Sequence, residues 1–195
     1  ITNPGYSFVN WTKDGEEVSD SAKFIPEKVN KKNVEATYVA NFIANKYNAT
    51  FVGGYVGSTF SVSLEQTYGE NFQLPTTNPE RANYNFAGFY TELGGKGEHI
   101  TSESKYFNAN DMTLYAHWTA NKYNVTFVGN FEGSEYSEVI EETYGSNYVL
   151  PAEEPAQDFY TFTGWFTDPT EGEQITTESI VEISMDTTLY AHWED

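Results

Sequence analysis

The sequence predicts a mostly β protein, α+β at most, made of small modules in tandem. Three observations carry this. Phe, Tyr and Trp make up 17% of the 195 residues and Gly occurs 15 times, a mixture in which aromatic side chains fill a pleated surface and Gly supplies tight connections. Whole phrases recur about 75 residues apart. Within each phrase apolar and polar residues alternate with a period of two, the pattern of a half-buried strand.

The repeat sets the boundaries. Asn45-Lys46-Tyr47-Asn48-Ala49-Thr50-Phe51-Val52-Gly53 returns as Asn121-Lys122-Tyr123-Asn124-Val125-Thr126-Phe127-Val128-Gly129, an offset of 123 − 47 = 76. The same offset relates Thr67-Tyr68-Gly69 to Thr143-Tyr144-Gly145, Leu74-Pro75 to Leu150-Pro151, and Gly88 to Gly164. One residue is then lost in the loop between Gly88 and Ile100, because Thr113-Leu114-Tyr115-Ala116-His117-Trp118 matches Thr188-Leu189-Tyr190-Ala191-His192-Trp193 at an offset of 75. Residues 1–44 read as the back half of a divergent third copy, with Gly5 to Trp11 parallel to Asn83 to Phe89 and Ala36 to Phe42 parallel to Met112 to Trp118. The expected domains are therefore 1–44, 45–120 and 121–195, with Thr119 and Ala120 as a short linker. Half a module should be strained or partly ordered unless something completes it.

The last copy shows the elements in order. Residues 123–128 form a first strand, Gly129 to Ser134 turn the chain, and residues 135–144 return as the second strand of a hairpin. Gly145, Pro151 and Pro155 interrupt the next stretch, so any helix there is short. A third strand spans 160–166, and a Gly- and Thr-rich loop leads to a closing strand, 188–193, with Leu189, Ala191 and Trp193 on one face and Tyr190 and His192 on the other. All four Trp fall in two slots of the repeat, whose pairs read Trp11 and Phe42, Phe89 and Trp118, Trp165 and Trp193. Only large aromatics exchange there, as packing requires, so these six are the candidate core. A carbohydrate-stacking platform is the competing reading.

Four phrases in combination are specific: Tyr-x-Val-Thr-Phe at 123–127, Tyr-Gly followed by Leu-Pro within 144–151, Tyr-Thr-Phe-Thr-Gly-Trp-Phe at 160–166, and Thr-Leu-Tyr-Ala-His-Trp at 188–193. Together they resemble the Listeria–Bacteroides repeat, the internalin B-repeat type, over residues 45–195. That resemblance implies tandem β-grasp-like modules, each two hairpins of one sheet around a short helix or loop. It also implies a place in large bacterial surface or secreted proteins, often between an adhesive head and a wall anchor. Gly53-Gly54 and Gly129-Asn130 stand where the family usually has Asn-Gly-Gly, and Phe89 where it usually has Trp. The family carries no agreed catalytic residues, so none is transferred.

Composition narrows the chemistry. With no Cys, disulfides, thiolate zinc sites and thiol nucleophiles are excluded. A net charge of −19 disfavours nucleic acid and anionic membranes as partners, and no apolar run reaches membrane-spanning length, so no membrane insertion is expected. His117 and His192 occupy equivalent positions, each two residues from a Tyr on the same face and with no repeated carboxylate beside it, which reads as a solvent-facing strand residue rather than a base. His99 has Gln174 as its counterpart. The copies carry six acids and five bases, seven and four, and sixteen and one, for net charges of −1, −3 and −15. So uneven a charge marks variable solvated surface rather than a shared calcium or glycosidase site. Asn108-Ala109-Asn110-Asp111 reads as too short for a calcium loop and unmatched by residues 182–186. Lys46 and Lys122 read as surface residues rather than isopeptide donors.

No catalytic, cofactor-binding or metal residue is assigned, no cofactor is expected, and an enzyme is not expected. The leading function is a structural spacer or stalk projecting a distal adhesive domain from a bacterial cell-surface or secreted protein. Its expected partners are the neighbouring repeats of the same chain, and a monomer is expected. The alternative is an adhesion module that binds a host protein or glycan itself, through a contact surface that includes Tyr55, Tyr90 or Phe166.

Overall fold

Every regular element of this aromatic-rich chain is a β-strand in the computed structural model, which describes residues 1–195. The strands form three sheets, and the chain divides into two units. One holds Ile1–Pro79 with Phe86–Trp118, and the other holds Glu80–Asn85 with Thr119–Asp195.

In the first unit β1 (Tyr6–Lys13), β2 (Glu16–Ser19) and β3 (Val39–Ala44) make an antiparallel sheet in the order β2-β1-β3. Asp14 and Gly15, both at positive φ, close the β1–β2 hairpin, as a two-residue turn matched to strand twist demands. Phe8, Trp11, Phe24, Tyr38 and Phe42 contact one another in a chain of ring pairs 5.2–6.4 Å apart. Residues 1–44 thus hold a sheet of their own.

The second sheet contains β4 (Lys46–Val52), β5 (Ser61–Thr67), β6 (Tyr84–Glu92), β7 (Lys96–Ile100) and β8 (Met112–Ala120), in the order β5-β4-β8-β6-β7. Two antiparallel hairpins, β4–β5 and β6–β7, flank a central β8 that runs parallel to β4. Ala49, Phe51, Phe89, Leu114, Ala116 and Trp118 supply its buried face from the strands.

The second unit repeats this plan with β9 (Lys122–Val128), β10 (Ser137–Thr143), β11 (Thr161–Phe166), β12 (Gln174–Ile175) and β13 (Thr187–Glu194) in the order β10-β9-β13-β11-β12. The parallel pair runs from Thr187 opposite Val125 to Tyr190 opposite Val128. Val125, Phe127, Trp165, Ile175, Leu189 and Ala191 form its core with Tyr148 and Val181 from the loops.

No helix covers either five-stranded sheet. Two crossing loops bond to each other instead: Phe72 and Tyr106 donate their N–H groups to Ser104 and Glu70, and Tyr148 and Val181 donate theirs to Ser179 and Ser146. These bonds satisfy the buried loop backbone, and the four side chains fill the space under the sheet. Thr119 and Ala120, read as linker, belong to β8. A single residue, Asn45, stands between β3 and β4, and Asn121 alone stands between β8 and β9.

Candidate functional site

The lone linker Asn anchors a set of contacts that occurs twice. In the first unit Asn45 donates its N–H to Gly5 O and accepts the Tyr68 N–H at its own carbonyl, both at 2.9 Å. Its side chain accepts the Ser7 hydroxyl and lies 3.4 Å from the Tyr47 hydroxyl. Tyr6 meets Tyr68 edge to face at 5.3 Å. In the second unit Asn121 donates to Asn83 O and accepts from Tyr144, again at 2.9 Å, while Asn85 Nδ2 donates to Asn121 Oδ1 at 2.9 Å and Tyr84 meets Tyr144 at 5.6 Å. Asn suits the position because it supplies two donors and an acceptor on a short side chain. Each joint therefore fixes the strand that follows the linker to a segment of the preceding repeat. Edge-to-face pairs of this kind contribute about 0.5–1.5 kcal/mol.

The six aromatic-slot residues sit as follows. Phe89, Trp118 and Trp165 are buried, Trp193 packs half-buried against the core of the second unit, and Trp11 and Phe42 are half-buried. Trp118 Nε1 donates to Gly53 O at 2.7 Å and Trp193 Nε1 to Gly129 O at 2.9 Å. The closing Trp thus satisfies the carbonyl just beyond the end of β4 or β9, a second use for an indole beyond its packing volume. Trp11 Nε1 is buried without a partner.

Tyr55, Tyr90 and Phe166, taken from the sequence as exposed contact residues, are instead half-buried. Tyr55 packs edge-on to Trp118, Tyr90 stacks on His99 and meets His117, and Phe166 stacks on His192 with centroids 3.9 Å apart. His117 and His192 are accordingly half-buried ring partners and not solvent-facing. His192 Nε2 lies 2.8 Å from Asp168 O, so it carries the proton and donates, since a carbonyl only accepts. The Asp168 carboxylate is held below its ordinary range by the Thr170 and Glu171 N–H groups, with His192 adding a little.

Three repeated polar contacts complete the picture. Asp111 accepts the Asn48 N–H at 2.7 Å and Asp186 accepts the Asn124 N–H at 2.8 Å, where the central strand begins to pair. The two Asp are one slot at the 75-residue offset, so the segment read as unmatched does match at its last residue. Lys46 and Lys122 pair with Glu65 and Glu141 in exposed cross-strand bridges, which contribute little. Gln66 and Glu142 occupy one fully buried slot. Gln66 accepts the Gln73 N–H and donates to the Gln73 carbonyl. Glu142 accepts the Val149 N–H alone, and desolvation pushes its carboxyl up against the lowering effect of that bond.

One open cleft of about 570 Å³ lies in the first unit, lined by Tyr55, Val56, Phe60, Leu93 and Tyr115 among others. In the second unit Asn130 takes the place of Gly54, and its Nδ2 donates to Pro169 O and Ala191 O.

Internalin H of Listeria monocytogenes is 37% identical over 98 residues, which is 49% of this chain. A "Putative membrane protein" of Evansella cellulosilytica is 32% identical over 193 residues, 97% of this chain, and a "Putative Gly-rich membrane protein" of the same organism is 38% identical over 133 residues, 60% of this chain. The chain spans only 16%, 26% and 15% of these three relatives, respectively. The Listeria-Bacteroides repeat domain matches residues 47–117 and 123–192, which coincide with the two five-stranded sheets, and the chain belongs to that family.

Proposed function

We propose that these repeats act as a spacer in a bacterial surface or secreted protein, carrying a distal adhesive domain away from the cell, and that they catalyse no reaction. One observation carries the reading: the side chains that recur in both copies bond or pack within the array. The closing Trp holds a Gly carbonyl, the loop Asp holds an Asn N–H, and the linker Asn ties one repeat to the strand that follows it. What varies is the solvated charge, from −3 in residues 45–120 to −15 in residues 121–195. A ligand site used by every copy needs the opposite distribution. Two hairpins of one sheet with loops beneath accord with the β-grasp-like plan that the family resemblance implies.

Copy number tests the spacer. In the parent surface protein, removing one repeat should lower attachment to a receptor set back behind a surface coat, and replacing it with the other repeat should restore attachment despite the different charge. Loss that only one particular repeat can restore would refute the proposal.

The cleft beside Tyr55 favours the second reading, adhesion to a host protein or glycan, because it is apolar and open. Saturable binding of this chain to a host glycan or protein, abolished by Tyr55→Ala in a chain with unchanged melting, would establish that reading instead.

A further inference from the structure

We infer that Phe159, Tyr160 and Thr161 form a vacant half of the module joint, shaped to receive the linker Asn and the Tyr-Gly turn of a further Listeria-Bacteroides repeat following residue 195. This deepens the spacer reading and rests on it only in that the repeats are consecutive.

The argument comes from comparing one position in three copies. Gly5, Asn83 and Phe159 all have positive φ, at 77°, 63° and 69°. Each precedes a Tyr, and each Tyr precedes a residue able to donate a hydrogen bond: Ser7, Asn85 or Thr161. In the first two copies the carbonyl at the positive-φ position accepts the linker Asn N–H. The next ring meets the Tyr of the Tyr-Gly turn, and the third side chain donates to the Asn side chain.

In the third copy the same backbone shape is kept and its occupants are absent. Phe159 is 96% exposed and Tyr160 45% exposed, whereas Tyr6 and Tyr84 are half-buried and Gly5 is buried. Left-handed backbone is a genuine outlier for a bulky side chain such as Phe. The backbone shape belongs to a local turn, closed by the Tyr160 N–H on Gln157 O as Tyr6 closes on Asn3 and Tyr84 on Arg81, but that turn gives the 96% exposed Phe159 side chain no packing. As an acceptor it has a use: the positive φ aims the carbonyl at the following linker, as at Gly5 and Asn83.

Spacing fits the same occupant. The linker Asn follows the closing aromatic by three residues in both joints, Phe42 to Asn45 and Trp118 to Asn121, so after Trp193 its place falls directly beyond Asp195. The Tyr of the turn lies 23 residues after the linker Asn in both cases, as 68 − 45 and 144 − 121. A partner carrying an Asn-Lys-Tyr start and a Tyr-Gly at that distance meets both halves of the site at once.

The test uses the full chain with a second copy of residues 121–195 appended after Asp195. The amide of the appended Asn should exchange its hydrogen at least tenfold more slowly than in an unstructured peptide, and Tyr160→Ala should remove most of that protection. The same substitution in the unextended chain should lower its melting temperature less than in the extended chain, because Tyr160 is 45% exposed there. Tyr84→Ala serves as the internal control and should speed exchange at Asn121. Phe159→Gly, which restores the residue of the first copy, should keep the joint and raise the stability of both chains. The inference is overturned if the appended Asn exchanges at the unstructured rate, or if Tyr160→Ala destabilises the extended and unextended chains equally. Either result leaves a string of unjoined modules, which the copy-number experiment on spacing judges separately.

Discussion

Glu142 is the position where one substitution should stabilise the protein. Its counterpart Gln66 makes two bonds to the Gln73 backbone, at 2.7 and 2.9 Å, whereas Glu142 makes one bond to the backbone of Val149, at 2.9 Å. An ionised carboxylate only accepts, so at neutral pH the Val149 carbonyl loses the donor that Gln66 offers Gln73. Glu142 is also 1% exposed, and its only bond is to a neutral backbone N–H. Glu142→Gln supplies the missing donor, worth about 0.5–1.5 kcal/mol net, and removes a desolvated charge. Together these should stabilise the second unit by about 1–3 kcal/mol at pH 7, at ~4–8 °C in melting temperature per kcal/mol for a module of this size.

The pH dependence gives the sharper test. Burial raises the folded carboxyl above its ordinary value of 4.5, so between that value and the raised one the folded chain holds a proton the unfolded chain has released. Stability then falls as pH rises through the folded value and is complete below about 4.5. Protonated, Glu142 can donate to the Val149 carbonyl as Gln66 donates to Gln73. The other carboxylates titrate in both proteins, so the readout is the difference between wild type and Glu142→Gln. It should be large at pH 7 and close as pH approaches 4.5, followed by thermal unfolding together with hydrogen exchange at Phe127 and Leu189. A gap that stays constant over that range, or a Gln variant less stable at pH 7, would refute the reasoning.

Trp193→Phe should keep the ring contacts with Phe131 and Phe162 but orphan the buried Gly129 carbonyl, costing about 1–3 kcal/mol in thermal unfolding; a neutral result would show that the Nε1 bond contributes nothing. Tyr106, its hydroxyl donating to Asn110 O, is pushed up to about 12 by burial, with Asp111 and Tyr47 adding. Its share of stability should therefore be present below pH 10 and lost as pH rises through about 12, so Tyr106→Phe should flatten the alkaline limb of a stability–pH curve. Gly88→Ala places a Cβ 2.3 Å from His99 Nε2 on a backbone at φ 112° and should cost about 1–3 kcal/mol; a melting temperature equal to wild type would refute the need for Gly at that position.

The strands were legible because a period of two and the repeat agree: Leu189, Ala191 and Trp193 do share the inner face of β13, and Val125 and Phe127 are buried in β9 as their alternation requires. The strand β12 was not, since Gln174 and Ile175 give two residues and no period. Nor were the loop residues Phe72, Tyr106, Tyr148 and Val181, which lie fully or almost fully buried without any periodic context; the offset that aligns Phe72 with Tyr148 was the available signal. The histidines misled because a strand face turned from the core need not meet water. In these modules the outer face carries its own ring stacks, Tyr90 on His99 and Phe166 on His192.

Comparing copies slot by slot separates what the sheet requires from what it tolerates. Gly88 and Gly164 are invariant between the copies, and the residue lying over each is not: His99 Nε2 and Gln174 Nε2 both come within 2.3 Å of where a Cβ would stand. The requirement is a bare backbone under a polar side chain, and its identity is free. Gln66 and Glu142 show the same division, with the bond to a loop N–H kept and the second bond given up. Phe159 differs from both cases. There the left-handed backbone is kept by the turn that the Tyr160 N–H closes on Gln157 O, under a side chain that does not suit it and lies 96% exposed. The local turn explains the backbone but not the exposed aromatic pair upon it, and for that reason an occupant is sought in a neighbouring repeat.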